Sequence, residues 1–180
     1  MANPSTLYRF KISLSDIDRA VYETLNLRVA MHSSETANFL ITRVIAFALN
    51  FDEGLEFSPG LSTPDEPAIR IQDGGGQISL WIDIGNPTAR RLNKASKAAT
   101  KVRVYTYKDP EVLKREASDE RIFGAGEIEI YALAPSFLNP LGKTLGRENT
   151  WTLIHNEGEL TISVGEETFM GTLEQHRLEG

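Results

Sequence analysis

Three carboxylates and a nearby run of bases hold most of the chemistry this sequence offers. The stretch PDEPAIRIQDGGGQISLWIDIG, residues 64–85, reads as two strands joined by a glycine turn. Asp65 and Glu66 open the first strand and Asp83 stands near the end of the second. A two-residue loop at Gly74-Gly75, or a four-residue loop from Asp73 to Gly76, sets Asp83 opposite Glu66 with Asp65 one step beyond. A three-residue loop brings Pro67 opposite instead. Facing Cβ atoms of an antiparallel pair lie about 5 Å apart. Two carboxylates at that spacing repel unless they share a hard cation, and an all-oxygen site suits Mg2+ or Mn2+. Such an ion would position a phosphate and activate a water. Solvated strand ends often carry acids, so a plain polar hairpin mouth accounts for the same residues.

The bases follow directly. Between Asn86 and Arg115 nine bases stand against two acids, whereas between Asp52 and Asp73 six acids accompany Arg70 alone. A cation site beside a phosphate-binding surface has this pattern, and so do two solvated faces of opposite sign. Arg90, Lys94, Lys97 and Lys101 recur at steps of four, three and four, which is one stripe of a helix leaving Asp83. With Arg91 they form the candidate nucleic-acid surface. The formal charge of −6 argues against general coating of polyanions.

The elements that must carry these groups are legible from periodicity. Tyr8, Phe10, Ile12 and Leu14 alternate with polar residues, as do Leu25, Leu27, Val29 and Met31, predicting an antiparallel pair. With Ser33 or Ser34 as N-cap, a helix of about sixteen residues beginning near Glu35 is expected. After the hairpin, TARRLNKASKAAT is a helix behind Pro87 and KVRVYTY a strand, so the unit is a crossover with parallel strands. Then come a short helix (DPEVLKREAS), a strand (GEIEIYAL), a helix interrupted by Pro140, and a three-stranded meander. The expected fold is one α/β (α+β) domain over residues 1–180, a mixed sheet flanked by helices with antiparallel strands at the end. Trp81 shares a face with Asp83 and either packs the core or flanks a bound base.

Composition narrows the chemistry further. The chain has no Cys and three scattered His, which excludes thiolate zinc, disulfides and a cysteine nucleophile. Its N-terminus lacks the apolar core of a signal peptide and no apolar run approaches spanning length, so a cytoplasmic protein with no membrane partner is expected.

The strings SLSDIDR, LNL, HSSET, GLSTPDEPA, LWIDIG and KVRVYTY in combination resemble the YaeQ family of small bacterial proteins, over roughly the first 110 residues. The resemblance implies a variant of the PD-(D/E)xK nuclease fold. Carried over, Asp65 or Glu66 is the first acid and Asp83 the acid of the triplet, and Gly85 stands where the lysine belongs. Lys94, or Lys97 next, would supply that lysine from the neighbouring helix. Glu35 resembles the helical acid that completes the metal shell with Asp65, Glu66 and Asp83, although an anion at a helix N-terminus is favourable by itself. Two functions follow. One is a Mg2+- or Mn2+-dependent nuclease-like protein acting on or recognising nucleic acid, in which cation binding stabilises the fold and Asp83→Asn relieves repulsion. The other is a non-catalytic binding or regulatory module on the same scaffold, the reading that Gly85 favours.

Overall fold

The computed structural model describes residues 5–58 and 66–178, and Asp65 lies outside them. The elements run β1 (Ser5–Asp16), β2 (Val21–His32), α1 (Ala37–Leu49), β3 (Leu55–Phe57), β4 (Ile69–Gln72), β5 (Ile78–Ile84), α2 (Ala89–Ala98) and β6 (Ala99–Thr106). They continue with α3 (Pro110–Ser118), β7 (Glu129–Ala132), α4 (Pro135–Gly142), β8 (Glu148–Asn156), β9 (Glu159–Val164), β10 (Glu167–Thr172) and β11 (Glu174–Arg177). The fold is mixed α+β. Its strands divide between two mixed sheets, ordered β10-β9-β8-β1-β2 and β11-β7-β6-β5-β4-β3. Two compact units result, Met1–Leu49 with Leu133–Leu173, and Asn50–Ala132 with Glu174–Gly180. No helix among the described residues is long and apolar enough to cross a membrane.

In the first unit the meander joins the N-terminal strand pair in one sheet. β8 pairs in parallel with β1, setting Ile12 beside Trp151 and Leu14 beside Leu153. The physical reason is the shared alternation: Phe10, Ile12, Leu14, Trp151, Leu153, Leu160 and Ile162 make one buried face. Phe10 and Trp151 meet edge-to-face at 5.0 Å between centroids. α1 packs against β2 and α4, and α4 against β10. From Leu40 to Leu49 α1 is buried on every side, the mark of an internal helix. It starts later than expected. The Ser34 hydroxyl is bonded to His32 Nδ1, and Glu35 closes a turn by accepting from the His32 amide at 2.7 Å. The cap therefore passes to Thr36, whose hydroxyl accepts from the Phe39 amide.

The second unit holds the candidate site. β5, β6 and β7 are parallel through the α2 and α3 crossovers. α2 and α3 cover one face of the sheet with a core that includes Trp81, Leu92, Val102, Val104, Leu113 and Ile130. β4 and β5 form the expected hairpin, but the register differs from both expectations. Asp73 accepts from the Gly75 and Gln77 amides, and the pairing shifts between Ile71 and Gln72. Ile69 pairs with Ile82, so Ala68, rather than Glu66 or Pro67, falls in line with Asp83.

Candidate functional site

Asp83 lies near the carboxyl end of β5, where open α/β sheets place their ligands. It is 2% exposed. A buried carboxylate needs a counter-charge and hydrogen bonds, and both come from the chain itself. Arg91 Nε donates to Oδ2 at 2.7 Å and Arg91 Nη2 to Oδ1 at 2.9 Å, a two-pronged pair. Trp81 Nε1 adds a bond to Oδ1 at 3.0 Å. Trp81 is thus core packing and a polar anchor at once, with the Arg91 guanidinium 5.8 Å from its ring centre. Arg91 Nη2 also donates to the Glu66 backbone carbonyl at 2.6 Å, tying α2 to the segment entering β4.

The local sequence explains why Arg91 arrives there. Thr88 caps α2 by accepting from the Arg91 amide, which fixes Arg91 in the first turn, just past the strand that carries Asp83. Gly85, which donates its amide to Tyr105 and lies beside the Tyr107 ring, has φ +93°. That is left-handed backbone, unfavourable for any L side chain, so a lysine at this position would be strained.

The other candidates are placed as follows. The Glu66 carboxylate is 3.9 Å from Arg70 Nη1, and Arg70 bonds Glu56 at 3.0 Å, so these acids have cationic partners as well. Glu35 lies in the first unit, in the turn before α1 rather than in its first turn. Asp65 is outside the described residues. Arg90, Lys94 and Lys97 are exposed on α2, and the base that reaches Asp83 is Arg91, not Lys94 or Lys97. Lys101 is not on the helix: α2 ends at Ala98 and Lys101 is an exposed residue of β6. In the sequence Arg91 stands out only as one base of the candidate nucleic-acid surface. The available signal was an arginine in the first turn of a helix that follows a strand ending in an acid.

Among the described residues no three of His, Asp and Glu gather as a metal shell. Both Asp83 oxygens already accept from Arg91, which neutralises the charge a divalent cation would use. The described residues therefore do not fit a Mg2+ or Mn2+ site at Asp83.

Fold and site define a mixed α+β protein whose strand-end carboxylate is locked in an internal ion pair. A model of the family described as YaeQ protein matches residues 1–173, and the chain belongs to that family. Among solved structures it is similar to the YaeQ protein from Pseudomonas syringae, with 29% identity, a TM-score of 0.87 and coverage of 97% of both chains. It is also similar to the YaeQ protein from Xanthomonas axonopodis pv. citri, with 29% identity, a TM-score of 0.88 and coverage of 97% of this chain and 99% of that one. The uncharacterized protein YaeQ of Escherichia coli K12 is 36% identical over 107 residues, which span 59% of this chain and 59% of that relative.

Proposed function

We propose that this protein is a nucleic-acid-binding module on a nuclease-like scaffold that has given up hydrolysis. The observation that carries this reading is the Arg91 fork on Asp83: the carboxylate a nuclease would offer to a metal is spent on an arginine. Gly85, in backbone unsuited to a lysine, supports it. The exposed bases Arg90, Lys94, Lys97 and Lys101 supply phosphate contacts. The cytoplasm is the compartment in which such a module meets nucleic acid.

The test joins binding, cleavage and metal response. Affinity for nucleic acid should fall steeply with salt, by about 0.7 to 0.9 log unit per log unit of salt for each phosphate neutralised. Replacing Arg90, Lys94 and Lys97 with alanine should flatten the slope by about one for each phosphate no longer neutralised. Millimolar Mn2+ should produce neither cleavage nor a rise in melting temperature. A manganese-dependent cut, or marked thermal stabilisation by the ion, restores the metal-dependent nuclease. No binding at low salt removes nucleic acid as the partner.

A further inference from the structure

A second feature of the same unit lies away from Asp83, toward the other end of the parallel strands. The last turn of α2, the start of β6 and the segment leading into β7 enclose a recess of about 260 Å³. Drug-sized ligands occupy pockets of roughly 300–1,000 Å³, so this one takes a single ring system rather than a whole extended ligand. Its walls join apolar and polar groups: Val102 and Ile128 on one hand, Ser96, Lys101 and Glu127 on the other. Phe123 lines it and is 60% exposed, a large apolar ring held in water. The ring is not on a loose tether, because the Phe123 amide donates to Asn93 Oδ1 of α2 at 2.9 Å. The Ser96 hydroxyl is buried without a hydrogen-bond partner among the described residues.

We infer that this recess receives one base of a single-stranded nucleic acid, stacked on Phe123, while the adjoining phosphates lie on Lys97 and Lys101. The inference rests on the nucleic-acid reading above and adds the class of strand and the seat of the base. Charge decides which part of a nucleotide enters. Glu127 is exposed in the recess wall, and Glu129 beside it is occupied by Arg103 at 3.0 Å and by the Tyr131 hydroxyl at 2.6 Å. Although burial pushes the Glu129 carboxyl up, Tyr131 and Arg103 hold it below the usual range, so it stays anionic. With Glu129 paired, Glu127 is the open carboxylate of the wall, which disfavours a phosphate there and can accept from the N–H groups of an uncharged base. Lys101 stands at the recess and Lys97 on the exposed last turn of α2, so phosphates flanking a seated base meet them at the surface, and bases within a duplex could not reach the ring. Aromatic platforms beside a basic track are the general solution for single strands.

The experiment compares three ligands by fluorescence anisotropy at low salt: a labelled single-stranded oligonucleotide, an abasic strand with the same number of phosphates, and a duplex. The intact single strand should bind tightest. Phe123→Ala should weaken it by roughly five- to a hundredfold, leaving the abasic strand and the salt slope unchanged. Phe123 is largely exposed, so the variant keeps the fold, and its circular dichroism should match the wild type. Equal affinity for the abasic and intact strands, or indifference to Phe123→Ala, overturns this inference while leaving the nucleic-acid reading in place. Failure of all three ligands to bind overturns that reading itself.

Discussion

At the scale of the residue, the Asp83–Arg91 pair reverses one expectation of the sequence. Two facing anions would make Asp83→Asn stabilising. With the Asp83 side chain 3% exposed and its oxygens bonded to Arg91, the substitution instead removes the negative charge facing the guanidinium and one of the two acceptors it uses there. Arg91→Ala should be worse, leaving a buried carboxylate without counter-charge at a cost of about 3 kcal/mol, the low end for buried pairs because Arg91 is a quarter exposed. The double variant should be destabilised by less than the sum of the two single variants. Urea unfolding of the four proteins measures this cycle. An Asp83→Asn variant as stable as the wild type would mean that the pair contributes nothing.

At the scale of the element, close approach decides where strands and helices sit. β10 lies so near α4 that a Cβ added to Gly171 would stand 2.5 Å from the Phe137 ring. Phe137 is 4% exposed and cannot swing into solvent without opening the core. Gly171→Ala should therefore cost about 1–3 kcal/mol by overpacking, although alanine suits a strand better than glycine. Thermal unfolding checks it, and Gly171→Ala with Phe137→Leu should recover part of the stability. α2 shows the same principle on the sequence side. The stripe Arg90, Lys94, Lys97 is helical as its spacing indicates, but Ala99 turns extended at φ −126° and Lys101 joins a strand. Periodicity reveals a helix face. It does not reveal where tertiary pairing ends the helix.

At the scale of the whole molecule, one turn of the first unit is expected to contribute to a pH dependence of stability. Asp18 accepts from the Glu157 amide at 2.7 Å and the Gly158 amide at 3.3 Å, where Glu157 and Gly158 both have positive φ. His155 bridges it to the buried Asp16, with Nε2 3.3 Å from Asp18 and Nδ1 2.9 Å from Asp16. The Glu157 amide foremost, helped by His155 and Gly158 and opposed by desolvation, holds the Asp18 carboxyl below its ordinary value. A carboxyl lowered on folding adds stability above its unfolded pKa of about 3.9, and that contribution disappears as pH falls through the lower folded value. Melting temperature should thus drop along an acid limb below about pH 4, and Asp18→Asn should lower stability at neutral pH while flattening that limb. Parallel curves for the two proteins would show that Asp18 plays no such part.

By itself the sequence determined what depends on local periodicity: the β1–β2 pair, the β5–α2–β6 crossover, the short helix α3, and the meander. It also identified the chemical groups and the family, since these are properties of residue type and order. Tertiary structure alone decided which groups meet. The parallel pairing of β1 with β8 joins segments more than a hundred residues apart, and no local pattern encodes it. The bulge after Ile71 moves the hairpin register, and with it the partner of Asp83. Arg91 rather than a lysine pairs with Asp83 because a burial cost, absent from any local window, demands the counter-charge that the first turn of α2 brings within reach.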